Sequence, residues 1–413
     1  MNLDRPSRLA SQLVQRRILD DGYAPEVRSN VIPFTVTRLA ANTCYRFAPP
    51  FIAIIAAQGS GFDVSIADIG LVISISELAG FLAPILGNFV DRVSRRLSMM
   101  VGLAGATLGV SLMALAPNLV VLGIGLTLLN LLKSCFDLGM GAWLADHVPY
   151  ERRGRVVGIT ETSWALSLLV GVSVLGLVTA ATSWRVACAV GGIAVVTCGV
   201  WLDSRLRGST DVPRTRHEKV PGAKVTGAWL VPLAMFGLMG AAQCVFVTFG
   251  AWLADDFGFE AAGIAAVGFA LGAGELFASV SSARMTDRIG KERSVLLGVM
   301  VMIPCAALLA GFDATLVVGL VALAGFIVGF EYGVVSLIPV ATDLFAGSPG
   351  KGFGLVIGAG TFGRGVLTVV ATGLYDSTGV VGACIAAIVC AALSAVTITA
   401  YRSRVSVTRG TRR

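Results

Sequence analysis

The stretch GNFVDRVSRR, Gly87 to Arg96, places one Asp and three Arg between two long apolar runs. A near copy, ARMTDRIGKER from Ala283 to Arg293, follows 196 residues later (Asp91 to Asp287), close to half the 413-residue length. A repeat at that interval marks two related halves. Charge is otherwise scarce: Asp, Glu, Lys and Arg make up 14% of the chain, against roughly 25% in soluble proteins. Hydrophobic residues reach 55% and mean hydropathy is +0.81. A water-soluble fold cannot hide that much apolar surface, so lipid is the solvent for most of the chain.

A membrane-spanning helix needs about 20 mainly apolar residues. Runs of that kind fall at 35–57, 66–88, 98–116, 119–144, 155–179, 184–203, 227–251, 263–285, 294–311, 315–341, 353–374 and 379–401. The connections between them sort into two classes. QGSGFDVSIA, APN, TSW, DDFGFE, FDAT and YDSTG are acidic or neutral, and Arg185 is the exception on that side. The others carry Arg92, Arg95 and Arg96, then Arg152, Arg153 and Arg155, the linker cations, Arg284, Arg288, Lys291 and Arg293, and Lys351. Basic loops stay in the cytoplasm, so both termini and the linker are expected there, in a multi-pass protein of the cytoplasmic membrane. The expected organisation is an N-terminal tail at 1–32, six spans over 33–203, a linker at 204–226, six spans over 227–402 and a tail at 403–413. No removable leader is expected before the first run.

GNFVDRVSRR resembles the loop motif of the major facilitator superfamily that joins its second and third helices. PYERRGRVVG, Pro149 to Gly158, is similar to that family's loop between helices four and five, and MTDRIGKER to the second-half echo. The resemblance covers Pro33 to Tyr401. It implies an all-α fold of twelve transmembrane helices in two pseudo-symmetric six-helix bundles, with helices one, four, seven and ten lining the path. It also implies a gate on the basic side built from Gly87, Asp91, Arg92, Arg95, Arg96, Arg155, Asp287 and Arg288. Asp91 at a helix C-terminus opposes the macrodipole and needs a cation nearby. These cations either latch one conformation or only set topology.

Charges inside the spans cost about 2.5–3.5 kcal/mol each and need a reason. Arg38, Asn42 and Arg46 recur every four residues on the first run, ahead of Pro49 and Pro50, which suggests an irregular helix there. Asn130, Lys133, Asp137 and Gly141 form a stripe on the fourth, and Thr361, Arg364, Thr368 and Thr372 one on the eleventh. The seventh offers Gln243 with Phe246, Phe249 and Trp252. Arg46, Asn42, Asn130, Lys133, Gln243, Arg364 and Thr361 are the substrate-cavity candidates. Asp137, Glu331 and then Glu161 are the candidates for carrying a coupling proton, with Glu77 and Glu275 ranked last. Two readings are open: an acid exchanges a proton as the cavity alternates, or Lys133 neutralises Asp137 while Glu161 or Glu331 pairs with Arg46 or Arg364 to hold helices together. Arg46, Lys133 and Arg364 hint at an anionic or polar solute, provided the acids do not already pair with them.

Other signals carry little. GAGTFG at Gly358–Gly363 lies inside a span with no preceding strand, so close helix packing explains it. GSPGKG lacks the spacing of a phosphate loop. The eight cysteines lie in apolar runs without a CxxC pair, and His147 and His217 fall in polar connections, so no metal or cofactor is expected. The net charge of +7 is concentrated in the loops of one side, which argues against nucleic acid or acidic lipid as its meaning; the basic tail SRVSVTRGTRR alone most simply binds the anionic inner leaflet. The fifth run, LLVGVSVLGLV, keeps Gly171 and Gly176 but lacks the Pro usual in the family's drug exporters. The combined expectation is a secondary transporter, not an enzyme, that exports a small organic solute against protons and works as a monomer. The alternatives are a symporter or uniporter importing a polar or anionic metabolite and, more remotely, a receptor or scaffold without transport.

Overall fold

The computed structural model describes residue 19 and residues 21–59, 61–148, 150–207, 227–342, 344 and 349–410. Among them there are helices and no strands. Twelve helical rods follow in order. α1 is Pro25–Phe47, continued by a tight turn at Pro49–Phe51 and by Ile52–Ala56. α2 is Ile66–Leu78, a tight turn at Ala79–Leu82, then Ala83–Arg92. α3 is Arg95–Leu115 and α4 Leu119–His147. α5 is Tyr150–Leu166, a widened turn at Ser167–Val172 and Ser173–Ala181. Then come α6 (Trp184–Leu206), α7 (Leu230–Phe257), α8 (Ala261–Ile289), α9 (Lys291–Gly311), α10 (Leu316–Thr342), α11 (Pro349–Thr378) and α12 (Val380–Gly410).

Among the described residues ten rods, α3 to α12, are long and apolar enough to cross a membrane. α1 and α2 differ for local reasons. Pro49 and Pro50 remove two backbone donors and break α1 after Phe47. α2 tightens at Ala79–Leu82, just before a Pro in the first turn of its second piece. α1 also begins earlier than the apolar run, at Pro25, because Val27, Val31 and Phe34 on its opening turns are buried. Elsewhere the starts are capped by side chains: Ser65 and Asp68 form a reciprocal capping box, and Ser94, Asn118 and Ser183 accept from Leu97, Val121 and Val186. α7 ends where Gly258 turns left-handed at φ 66°.

The outer surface is greasy. Phe277, Val200 and Val396 are about two-thirds exposed, which only lipid makes tolerable. α7 is the most enclosed rod, and α6 and α9 are among the least. Within the first half α3 packs on α4 and α6; within the second, α9 packs on α10 and α12.

Among the described residues the halves join along α1–α7, α2–α11 and α5–α8, and α1 also meets α8. The Pro50 carbonyl at the end of α1 abuts Gly250 on α7. α2 lies on α11, with Gly70 against Thr372, the Ala67 amide donating to Asp376 Oδ2 at 3.2 Å and Ser74 donating to the Gly365 carbonyl at 2.5 Å. α5 lies on α8, with Gly176 against Ala265 and the Leu169 backbone against Gly272. These contacts run from the end bearing the short loops to the middle of the bundle.

Candidate functional site

Where the seam reaches mid-bundle it meets charge. Arg46 on α1 binds Glu275 on α8 in a fork, Nη2 to Oε1 at 2.6 Å and Nη1 to Oε2 at 2.9 Å. Both side chains are nearly inaccessible, 4% and 2% exposed. Arg46 Nη1 also donates to the Trp164 carbonyl at 2.9 Å, one turn before the widened turn of α5. Its guanidinium lies 4.6 Å from the Trp164 ring centre and 5.3 Å from that of Phe246 on α7. Bidentate geometry and two aromatic faces are what make such a buried pair tolerable.

A second ion pair crosses the seam at α2 and α11. Arg364 Nη2 donates to Glu77 Oε1 at 3.2 Å, and Tyr45 Oη reaches both oxygens of Glu77, at 2.7 and 2.9 Å. Arg364 and Lys133 both lie over the Tyr45 ring, at 5.6 and 5.3 Å. Lys133 Nζ then binds Asp137 Oδ2 at 2.6 Å, Asp137 Oδ1 accepts from Arg38 Nε at 3.1 Å, and Arg38 reaches Glu161 at 2.7 Å. Every cation in this network has an acid. Five acids meet four cations, and the acid left over is Glu331 on α10. It is 5% exposed and held by Ser279 Oγ on α8 at 2.6 Å, with no described cation within ion-pair distance.

The remaining cavity candidates stitch helices together. Asn42 Nδ2 donates to Ser163 on α5 at 3.3 Å, Asn130 Nδ2 to the Ser76 carbonyl on α2 at 2.6 Å, and Gln243 Nε2 to Thr368 on α11 at 2.9 Å. Thr361 turns its hydroxyl onto its own helix at the Ile357 carbonyl. Three buried polar atoms at the centre have no partner among the described residues: Arg46 Nε, Arg364 Nε and Asn42 Oδ1. Buried groups of that kind call for a ligand or water to complete them.

Of the basic-side motif, Gly87, Asp91, Arg155 and Asp287 lie outside the described side chains. Arg92 and Arg288 are exposed. Arg95 Nε binds Asp146 at the end of α4 at 2.9 Å, and Arg96 Nε binds Asp203 near the end of α6 at 2.7 Å. The described part of the motif therefore ties α3 to α4 and α6 within one half. His147 ends α4 rather than lying in a loop, stacked on Trp143 at 4.0 Å; His217 lies outside the described residues. Among the described residues no group of three or more His, Cys, Asp or Glu is arranged for a metal.

The sequence ranked Glu77 and Glu275 last as proton carriers, and one of its two open readings paired Glu161 or Glu331 with Arg46 or Arg364. The structure assigns the partners the other way round. A signal was present: Glu77 and Glu275 stand 14 and 12 residues before the repeated Asp91 and Asp287, so they occupy near-equivalent heights in the two halves. Tyr45, Trp164 and Ser279 carried no signal, since neutral polar and aromatic residues are common in spans.

Two halves thus meet across buried ion pairs, and comparison with known proteins identifies the family. The family model described as Major Facilitator Superfamily matches residues 35–372. The chain belongs to the major facilitator superfamily. It is 28% identical over 261 residues to the uncharacterised MFS-type transporter YwfA of Bacillus subtilis (strain 168), a match spanning 60% of this chain and 61% of that protein. A shorter match of 109 residues, 30% identical, covers 26% of this chain and 27% of the class C tetracycline resistance protein of Escherichia coli. Among solved structures, a bacterial homologue of the human lysosomal transporter Spinster, inward-facing and occupied, superposes with a TM-score of 0.72 at 12% identity, over 93% of this chain and 97% of that one. The human organic anion transporter MFSD10 (TETRAN) gives 0.70 at 15%, over 92% and 100%. At such identities the superpositions establish the fold.

Proposed function

We propose that this superfamily member is a secondary active transporter of the cytoplasmic membrane that exports a small polar organic solute in exchange for protons, by alternating access. The observation that carries the reading is Glu331, the buried acid for which the charge network supplies no cation. A carboxylate left uncompensated in the membrane interior is costly, and taking up a proton removes that cost. Asp137, ranked beside it from sequence, already faces both Lys133 and Arg38. It serves to hold them.

The ion pairs Arg46–Glu275 and Arg364–Glu77 span the two halves, so the halves cannot part at the short-loop end without exchanging these partners. With basic loops and linker in the cytoplasm, the seam closes the outer side and the conformation faces inward. Cytoplasmic termini follow from the same loop charges. The solute lies between the halves, where Arg46 Nε, Arg364 Nε and Asn42 Oδ1 offer unfilled hydrogen bonds. Because each cation already has an acid, the hint of an anionic solute loses its basis, and a neutral or cationic polar compound fits better. Similarity to a resistance protein supports outward movement. One chain supplies both halves of the path, which supports a monomer.

Untargeted metabolite profiling of medium and cells, comparing an overexpressing strain with one carrying Glu331→Gln, tests this. A compound enriched in the medium with the intact protein alone is expected. A compound drained from the medium into the cells would reverse the direction, and identical profiles for both proteins would remove Glu331 from the coupling.

A further inference from the structure

One turn beyond Ser279, α8 and α10 share a second polar cluster. Ser282 Oγ lies 3.0 Å from Thr286 Oγ1 and 3.0 Å from Ser336 Oγ on α10, and Thr286 Oγ1 lies 2.9 Å from Ser336 Oγ. All three are buried, at 1%, 6% and 0% exposed. A hydroxyl that merely satisfies itself in a helix bonds its own backbone three or four residues back, as Thr248, Thr368 and Thr372 do. These three bond one another instead. In each contact either oxygen can be the donor, so the direction of donation around the triad can reverse.

The placement is directional. α8 carries Glu275, Ser279, Ser282 and Thr286 at spacings of four, three and four, on one face. From Ser279, which holds Glu331, to Thr286 is seven residues, about 10 Å at 1.5 Å per residue. Thr286 lies three residues before Ile289, the end of α8 on the linker side, beside exposed Arg288. The charged groups that act on Glu331 are Glu275 on α8, Arg46 on α1 and Glu161 on α5.

We propose that Ser279, Ser282, Ser336 and Thr286 form the route by which a proton on Glu331 exchanges with water on the linker side, apart from the solute's path. This rests on Glu331 as the proton carrier. In the releasing direction, the Glu331 O–H bond breaks as Ser279 Oγ takes that proton. The Ser279 hydroxyl proton passes to Ser282, across the single turn between them, through a rotamer change or one water. Ser336 and Thr286 repeat the exchange, and the last proton leaves to bulk water. Each hydroxyl ends with one proton, Glu331 ends as the carboxylate, and rotation of the O–H bonds resets the chain.

Infrared difference spectroscopy of the purified full-length chain after a pH jump reads this without a substrate. The carboxylic acid C=O band is followed in the unaltered protein, in Glu331→Gln and in Ser282→Ala/Thr286→Val/Ser336→Ala. Loss of the band in Glu331→Gln identifies it. The triple variant is expected to reach the same final band at a rate lower by at least about tenfold. An unchanged rate in the triple variant would overturn the route and leave Glu331 standing; a band that persists in Glu331→Gln would overturn both. Should the triple variant not fold, Ser336→Ala is expected to be slow and Ser336→Thr, which restores a hydroxyl, near the unaltered rate. Equal slowing by both would mark the triad as packing only and overturn the route.

Discussion

At Arg46 a single guanidinium answers to α8 through Glu275, to α5 through the Trp164 carbonyl and to α7 through the Phe246 ring. Removing one partner of a buried pair leaves the other charged and unmatched, at a cost of about 3–5 kcal/mol. Glu275→Gln is therefore expected to lower thermal stability in detergent clearly, and a melting curve checks it. The same logic separates the two acids that the sequence ranked together. Asp137→Asn strands Lys133 and leaves Arg38 with Glu161 alone, and is expected to lower the melting temperature; Glu331→Gln strands no cation and is expected to melt like the unaltered protein. Equal losses in the two variants would contradict the charge assignments. The individual charges were legible in the sequence because an Arg or Glu inside an apolar run is conspicuous. Their partners were not, because spacing reports which residues share a face of one helix and says nothing of which helix lies opposite.

The α5 helix shows where an element departs from its sequence signal. LLVGVSVLGLV lacks the Pro usual in the family's drug exporters, yet the helix still widens at Ser167–Val172. Ser173 Oγ bonds back five residues to the Leu168 carbonyl at 3.1 Å, filling the wider turn. Widened turns of this type gather at functional positions. Here it faces Gly272 on α8, where a Cβ would collide with the Leu169 backbone. Gly272→Val is expected to force α8 from α5 at a cost of about 1–3 kcal/mol. Spin-label distances between the short-loop ends of α5 and α8 should lengthen; unchanged distances would show that the seam accommodates the extra methyls elsewhere. Helix count and order were readable from the apolar runs. The break in α1 was foreshadowed by Pro49 and Pro50, whereas the breaks in α2 and α5 depend on neighbours that a single run does not reveal.

Across the whole molecule, the repeat of Asp91 at Asp287 anticipated two halves, and the halves meet along α1–α7, α2–α11 and α5–α8. If the molecule transports as proposed, the sealed end must open for the solute to pass. With the native cysteines replaced, oxidising Gly70→Cys against Thr372→Cys on the α2–α11 seam is expected to stop transport, and a reductant to restore it. Transport that continues through the cross-link would contradict rocking of the halves. Proton coupling through Glu331 is tested by taking the compound found by profiling into proteoliposomes. An imposed proton gradient is applied, and net accumulation is compared with exchange at equal concentrations. The unaltered protein should accumulate the compound, and Glu331→Gln should lose accumulation while keeping exchange. Accumulation undiminished in Glu331→Gln would contradict Glu331 as the carrier of the coupling proton.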